Sequence, residues 1–204
     1  MRTFVAVEMP DAVRQMLVDL QRRLDRALND AHAGNLVRWT SEQNLHLTLR
    51  FLGETSDAQR TVVERSLASR IRPQPALALA LHQLGAFPNW RRPNIIWIDF
   101  SGATEQLEHV QVLVEASVRS ADFAAEERAF TPHLTIGRVK KEASARERTE
   151  LGEVLQREQS RSAAQIAVPA ARFTVDSIAF VQSDLRPSGP IYTTLASYSL
   201  NGAY

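Results

Sequence analysis

Short apolar runs alternate with longer amphipathic segments along the chain. Residues 4–7 are apolar and are soon followed by Pro10, which predicts a strand, and the apolar positions of residues 11–28 recur at helical spacing. The same patterns predict further strands at residues 45–52, 77–84, 95–98, 133–139, 173–180 and 191–200, and further helices at residues 55–71, 104–118 and 143–162. Because several neighbouring strands are joined by short turn-like segments, the sequence predicts an α+β protein with largely antiparallel sheets rather than a doubly wound parallel one.

Length and composition narrow the class of protein. The chain has 204 residues, of which 44% are hydrophobic, and it has no cysteine. Disordered chains, disulfide scaffolds, thiolate metal sites and cysteine nucleophiles are therefore disfavoured or excluded. A chain of this length forms one ample domain or two small lobes that share a core.

Charge and hydropathy indicate where the protein works and what it touches. Its 24 Lys and Arg residues against 23 Asp and Glu residues leave a net charge of +1, so a nucleic acid partner would be held by local contacts rather than by an overall basic field. The N-terminal apolar run is interrupted by Glu8 and Pro10 and is too short for a signal peptide. No stretch approaches the roughly 20 apolar residues of a membrane span. We expect a cytoplasmic protein that does not contact membranes.

The glycines argue against a nucleotide-cofactor fold. Four of them, Gly53, Gly85, Gly102 and Gly137, are isolated in the sequence, so no glycine-rich phosphate-binding fingerprint is present. We therefore expect no cofactor.

A short internal repeat is the most informative feature of the sequence. The strings Leu-His-Leu-Thr-Leu at residues 45–49 and Pro-His-Leu-Thr-Ile at residues 132–136 place His46 and His133 87 residues apart, and Thr48 and Thr135 at the same separation. With 5 His and 12 Thr in the chain, chance alone yields about 0.3 His-x-Thr tripeptides. Two copies flanked by aliphatic residues are therefore more than chance predicts, which indicates that the repeat has a function.

Strand geometry gives the repeat a chemical meaning. Side chains at positions i and i+2 of a strand point to the same face, so His46 and Thr48 share one face while Leu47 and Leu49 share the other, and the second copy behaves likewise. If the two copies face one groove, two imidazoles and two hydroxyls surround it. Such a set can take a proton from an attacking oxygen, give one to a leaving oxygen and hydrogen-bond the oxygens between them, which suits a phosphodiester.

Histidine fits both roles because its pKa of about 6.5 allows one ring to be neutral while the other is protonated. The alternative for either motif alone is a structural histidine in an apolar strand, and a lone threonine in a strand has no functional meaning. A two-histidine metal site is a third interpretation, but a zinc site needs more ligands than the two imidazoles supply. The duplication favours catalysis without a metal.

At these residues the sequence resembles the 2H phosphoesterase superfamily, and within it the RNA 2′,3′-cyclic phosphodiesterases, also called 2′-5′ RNA ligases. The resemblance runs nearly end to end. It covers residues 2–10, the string Asn-Leu-His-Leu-Thr-Leu-Arg-Phe-Leu-Gly at residues 44–53, the string Pro-His-Leu-Thr-Ile-Gly-Arg at residues 132–138, and the segments at residues 92–98 and 192–193. The paired motifs are specific to the superfamily, and the longer string narrows it to this branch.

The resemblance implies a single bilobal domain over residues 1–204 with pseudo-twofold symmetry. Two mostly antiparallel sheets would line a central cleft, helices would lie outside, and each lobe would carry one motif. It further implies hydrolysis of a 2′,3′-cyclic phosphate to a 2′-phosphate. In that reaction His46 would donate a proton to O3′ and His133 would act as base toward water, while Thr48 and Thr135 would bind phosphate oxygens.

Two further residues are candidates for substrate contact. Arg138 matches an arginine that follows the second motif in close relatives, and its planar guanidinium suits a pair of phosphate oxygens. It lies five residues after His133, an odd offset that aims it at the wrong face unless a bulge at Gly137 turns the strand. Otherwise it is a surface arginine. Phe4 could stack a terminal base, although core packing is the more common role of such a residue.

The function that these observations favour is metal-independent hydrolysis of RNA 2′,3′-cyclic phosphate ends, with reversible 2′-5′ joining. The partners would be RNA ends or short oligonucleotides that carry the cyclic phosphate, and we expect a monomer. Two alternatives stay open at this stage. One is a phosphodiesterase that acts on 2′-5′ oligonucleotides or small cyclic nucleotides, and the other is a module that binds RNA ends without turning them over.

Overall fold

The computed structural model describes residues 1–166, 171–187 and 189–202. Within them the chain forms nine strands and four α-helices, with two short 3₁₀ turns at Gly34–Leu36 and Glu42–Asn44. The strands are β1 (Arg2–Glu8), β2 (Val37–Trp39), β3 (His46–Glu54), β4 (Leu77–Phe87), β5 (Ile95–Gly102), β6 (Leu134–Val139), β7 (Arg172–Val175), β8 (Ser177–Arg186) and β9 (Gly189–Ser199). The helices are α1 (Asp11–Asp30), α2 (Asp57–Ile71), α3 (Thr104–Arg119) and α4 (Ala145–Ile166).

The α+β class and the antiparallel pairing are as the sequence predicts. The strands follow the order β7-β4-β5-β6-β3-β1-β8-β9, with β2 attached to β6, and the pairings between these neighbours are antiparallel. One detail differs, because the two expected sheets are two halves of one continuous sheet. They are joined where β3 meets β6, at the single paired position Leu47 and Leu134.

The helices cover the sheet on its apolar face. α1 contacts β6 and α4 contacts β4 on one half of the sheet, while α3 contacts β3 and α2 contacts β9 on the other. Each helix contributes its apolar stripe to one core, and Leu47 and Leu134 are fully buried in that core. The motif strands are thus anchored by their leucines, and their alternate side chains are left for the opposite face.

The charged segment after β6 folds as the sequence predicts. It forms α4, in which Leu151, Val154 and Leu155 are buried as the apolar anchors of an otherwise polar helix. Arg148 fixes the start of this helix, because its guanidinium donates to the backbone oxygens of Pro93 at 3.0 Å and Lys140 at 2.8 Å. This helix therefore secures the loop between β4 and β5.

Among the described residues, no helix combines the length and the apolar character that a membrane span requires.

Candidate active site

The two motifs lie side by side on neighbouring strands. Because Leu47 pairs directly with Leu134 in antiparallel β3 and β6, each leucine lies at the centre of its own His-x-Thr motif. The imidazoles and hydroxyls project to the opposite face, where all four side chains line one open cavity of about 1220 Å³. The identical spacing of the two copies thus becomes a local twofold arrangement around the leucine pair.

Both imidazoles are oriented in the same way. His46 Nδ1 lies 2.8 Å from the backbone oxygen of Asn44, and His133 Nδ1 lies 2.7 Å from the backbone oxygen of Thr131. A carbonyl oxygen only accepts, so Nδ1 carries the proton in each ring and Nε2 is left for chemistry. In the first motif the Thr48 hydroxyl lies 3.0 Å from His46 Nε2, and it donates to that nitrogen when the ring is neutral.

Aromatic rings hold each imidazole in place. Phe4 and Tyr192 lie 4.9 Å and 5.3 Å from the His46 ring, measured between ring centroids. Phe87 and Trp97 lie 5.1 Å and 6.2 Å from the His133 ring in the same way. Each imidazole is therefore packed against two aromatic rings that restrict its rotation.

Trp97 can occupy its position because its strand neighbour on β4 has no side chain. A Cβ on Gly85 would lie 2.3 Å from the Trp97 ring, so any larger residue would push the indole away from Phe87 and His133. Gly85 is thus a close-approach glycine of the site rather than part of a phosphate loop.

The surroundings of His46 disfavour its charged form. Burial lowers the pKa of His46 below its usual 6.5, and the nearby positive charge of Arg138 lowers this pKa further. The Asn44 carbonyl and the carboxylate of Glu8 act in the opposite direction and raise the pKa. Glu8 lies opposite His46 in the β1–β3 pairing, and its carboxylate accepts a 2.7 Å hydrogen bond from the Thr194 hydroxyl.

Each motif strand contains a bulge directly after its motif. On β3 the pairing with β1 passes from Thr48 to Arg50 within one step of β1, so Leu49 is the extra residue. On β6 the pairing with β5 passes from Thr135 to Gly137 in the same way, so Ile136 is the extra residue. Both bulges occupy the third position after the histidine, which extends the likeness of the two motifs.

The bulge on β6 decides the position of Arg138. After the extra residue Ile136, the alternation of the strand is shifted, and Arg138 is exposed and lines the cavity together with His133 and Thr135. This is the turn of the strand that its odd offset in the sequence requires. The bulge lies beside Gly137, where the sequence analysis allowed for one.

The bulge on β3 exchanges the positions of two residues. Phe51 pairs with Phe4, is 56% exposed and lines the cavity. Arg50 pairs instead with the core residue Val5, and its guanidinium donates to Glu115 of α3 at 2.6 Å and to the backbone oxygen of Ala124 at 2.7 Å. Strand parity alone would have placed Arg50 on the motif face and Phe51 away from it. Arg50 still borders the cavity, but its guanidinium is held by Glu115 and Ala124.

The structure corrects the prediction for Phe4. Its ring is only 1% exposed and is packed beneath His46, Phe51 and Tyr192, and it does not line the cavity. A ring this deeply buried supports the imidazole and cannot stack on a base. The sequence did not identify five residues that surround the motifs: Arg38, Phe51, Phe87, Trp97 and Tyr192. Phe51 lies within the first motif string, and Trp97 and Tyr192 lie in the other segments that carry the family resemblance.

A buried amide links the two motif segments from behind the sheet. Gln21 of α1 is 6% exposed, and its Nε2 donates to the backbone oxygens of Thr40 and Ile136, both at 2.8 Å. Ile136 is the bulge residue of β6, and Thr40 lies in the segment that leads into the first motif. Gln21 therefore helps to hold the bulge that turns Arg138 into the cavity.

No group of three or more His, Asp or Glu side chains in the part of the chain that the structure describes is arranged to hold a metal ion. The cavity lining includes both motif imidazoles, the hydroxyls of both motif threonines and arginine guanidiniums.

Comparison with known protein families agrees with this geometry. The family described as LigT-like phosphoesterase matches residues 7–97 and, separately, residues 98–192, so that each match contains one His-x-Thr motif. The chain belongs to this family. The double match reflects the same duplication that places Leu47 beside Leu134.

Curated relatives of this LigT-like chain carry one name. The RNA 2′,3′-cyclic phosphodiesterase of Aeropyrum pernix is 34% identical over 165 residues, which cover 81% of this chain and 87% of the relative. The RNA 2′,3′-cyclic phosphodiesterase of Thermotoga maritima is 28% identical over 202 residues, which cover 99% of this chain and 97% of the relative.

Solved structures show that the LigT-like fold extends over the whole chain. A crystal structure of a Thermus thermophilus protein matches with a TM-score of 0.75 and 25% identity, and the match covers 100% of both chains. Escherichia coli LigT, crystallised with 3′-AMP, matches with a TM-score of 0.70 and 20% identity over 98% of this chain and 97% of that one.

Proposed function

We propose that this protein is an RNA 2′,3′-cyclic phosphodiesterase, which hydrolyses the cyclic phosphate at an RNA end and leaves a 2′-phosphate. The observation that carries the proposal is the convergence of His46, Thr48, His133 and Thr135 on one cavity from two adjacent strands. The shared name of the curated relatives supports the same reaction and the same class of substrate.

The reaction needs one proton acceptor, one proton donor and a cradle for the phosphate. Water attacks phosphorus and gives a proton to the Nε2 atom of His133. The bond between phosphorus and O3′ breaks, and O3′ receives a proton from the Nε2 atom of His46. The hydroxyls of Thr48 and Thr135 and the guanidinium of Arg138 hydrogen-bond the non-bridging oxygens, where negative charge increases in the transition state.

The electrostatics of the cavity link substrate binding to the protonation of His46. In the free protein, burial and Arg138 lower the pKa of His46, so its ring is mainly neutral near pH 7. A bound phosphate anion partly neutralises Arg138 and adds a negative charge beside the ring. Both effects favour the imidazolium, so the substrate itself prepares the proton donor.

Phe51 supplies a surface for the terminal base. Its exposed ring lies in the cavity beyond Thr48 on the same strand, and Phe4 supports it from below at 5.5 Å between ring centroids. Every base has a flat face, so stacking on Phe51 would bind RNA ends without strong preference for sequence.

The reaction requires no metal ion, because the two imidazoles transfer the protons and Arg138 with the two threonines supplies the positive and hydrogen-bonding groups. Joining of two RNA ends, which is the reverse of cleaving a 2′-5′ linkage to a cyclic phosphate, uses the same groups. A 5′-hydroxyl takes the place of water, loses its proton to His133 and forms a 2′-5′ linkage as the bond to O3′ breaks. The functional unit is the single bilobal domain over residues 1–204, with one motif in each half of the sheet.

The identity of the product tests the proposal. An RNA oligomer with a 2′,3′-cyclic phosphate end is incubated with the protein and an excess of EDTA, and the end group is identified by ³¹P NMR. We expect a 2′-phosphate end at the same rate with and without EDTA. A 3′-phosphate end would place the protein in another branch of the superfamily, and binding without turnover would favour the non-catalytic module.

A further inference from the structure

A second arginine lies beside the proposed phosphate site. β2 is only three residues long, and it pairs with β6 so that Arg38 stands directly opposite Arg138. Both side chains are exposed and both line the cavity. Two like charges at directly opposed positions of an antiparallel pair repel each other. The two guanidiniums therefore place two positive charges on this wall of the cavity.

Arg38 also reaches the other half of the molecule. A Cβ on Gly189, at the start of β9, would lie 3.0 Å from Nη2 of Arg38, and Gly189 has a φ of +125° that side chains rarely adopt. The next residue, Pro190, accepts a 2.9 Å hydrogen bond from the Asn44 side chain, which lies just before the first motif. The guanidinium of Arg38 is therefore beside the start of β9, where Gly189 and Pro190 line the cavity.

The cavity is larger than one nucleotide requires. Pockets that enclose drug-sized ligands have volumes of about 300–1,000 Å³, whereas this cavity measures about 1220 Å³. In the proposed function the reacting phosphate binds between the two histidines, and Arg38 lies on β2 beside the start of β9. The space beside Arg38 is thus open to a neighbouring part of the same RNA strand.

We propose that Arg38 binds the internucleotide phosphate on the 5′ side of the terminal nucleotide, so that the preferred substrate class is an oligonucleotide rather than a cyclic mononucleotide. This inference rests on the proposed function of the same cavity. The planar fork of arginine matches two phosphate oxygens, and a row of positive side chains along a groove is the usual way to follow a single strand. Arg138 binds the reacting phosphate and Arg38 the next one.

The test compares two substrates and two arginine variants. Turnover of a 2′,3′-cyclic mononucleotide and of a dinucleotide with the same cyclic end is measured for the wild type, Arg38→Gln and the control Arg22→Gln. Arg22 lies on the surface of α1 and pairs with Asp19 at 3.1 Å, so its variant removes an equal charge outside the cavity. We expect Arg38→Gln to lower kcat/KM for the dinucleotide roughly 10- to 100-fold, as for a charged hydrogen bond, with less than about 2-fold loss for the mononucleotide.

A chemical variant of the substrate isolates the contact. A methylphosphonate at the internucleotide position removes its negative charge, so the wild type should lose as much kcat/KM as Arg38→Gln does, and the variant should lose nothing further. The plot of log kcat/KM against log salt concentration should also become shallower by about 0.7 for the variant. Arg22→Gln should change none of these values.

Two results would overturn the inference. Equal losses for the mononucleotide and the dinucleotide would place Arg38 at the reacting phosphate, and no loss for either would remove it from substrate binding. If the wild type hydrolyses neither substrate, the proposed function fails separately. The affinity of a 2′-phosphorylated dinucleotide for the wild type and for Arg38→Gln then decides the role of Arg38, and equal affinities would reject it.

Discussion

At the scale of single residues, the two histidines make the same backbone hydrogen bond, and burial and nearby charges act on His46. Each Nδ1 donates to a backbone oxygen two residues earlier in the chain. The pKa of His46 is lowered mainly by burial and further by Arg138, against the opposing effects of the Asn44 carbonyl and Glu8. The two imidazoles thus share a hydrogen-bond geometry, and the protonation of His46 depends on the charges around it.

The pH dependence of His46 follows from these charges. In the free protein, NMR titration of the His46 ring should give a midpoint below 6.5. Arg138→Gln should raise this midpoint because it removes a repelling charge, and Glu8→Gln should lower it because it removes an attracting one. Adding inorganic phosphate should also raise it.

The same shift predicts a direction for stability. The folded protein binds the His46 proton less readily than the unfolded chain does, so the unfolded state gains protons first as the pH falls below 6.5. As the pH falls from 6.5 to the lower pKa of His46 in the folded protein, the contribution of His46 to the free energy of unfolding is therefore lost. A midpoint at or above 6.5 in the free protein would contradict both expectations.

Phe51 gives a prediction about binding rather than chemistry. Phe51→Ala should raise KM for RNA ends roughly 10-fold, because stacking of one base is worth about 1–3 kcal/mol, while kcat changes little. Phe51→Trp should retain the wild-type KM. Val62→Ala, which removes another exposed apolar side chain from the surface of α2, is the matched control. An unchanged KM in Phe51→Ala would show that the base binds elsewhere.

At the scale of elements, strand periodicity predicts which face each side chain occupies only as far as the bulges. The alternation of the motif strands correctly gives a shared face for His46 and Thr48, because Leu47 is buried and the strand is regular there. It fails at Arg50 and Phe51, because the extra residue Leu49 shifts both side chains to the other face. No residue type in the first motif predicts this bulge. In the second motif, Gly137 and the odd offset of Arg138 made a bulge foreseeable.

Gln21 tests whether the second bulge matters for activity. Gln21→Met removes two donors from buried backbone oxygens, and the free energy of unfolding should fall by about 1–3 kcal/mol. If Gln21 acts by holding Arg138 in place, the variant should also lower kcat/KM in wild-type protein but cause no further loss in an Arg138→Gln background. Denaturant unfolding and steady-state kinetics measure the two effects.

A core substitution provides the control for Gln21. Val13→Ala truncates another buried residue of α1 and should lower stability without an interaction with Arg138. Its effect on kcat/KM should be the same in both backgrounds. A loss in Gln21→Met that persists undiminished without Arg138 would show that Gln21 has only a general structural role.

At the scale of the whole molecule, the sequence predicts the class of fold better than its connections. Helices and most strands have apolar patterns long enough to recognise, and the repeat shows that two segments share a role. The sequence carries no signal for the joining of both halves into one sheet, since that junction is a single pair, Leu47 with Leu134. β2 was missed because three residues are too few to show a period, yet it carries Arg38.

The central claim is that His46 and His133 act together on one phosphate. The most direct measurement is kcat on a 2′,3′-cyclic-phosphate dinucleotide with EDTA present, for His46→Ala, His133→Ala and the double variant. Because each ring supplies a proton transfer that the other cannot replace, we expect each single variant to lose roughly 10²- to 10⁴-fold. The double variant should be little worse than either single one. Wild-type turnover in either single variant, with the fold intact, would contradict the account.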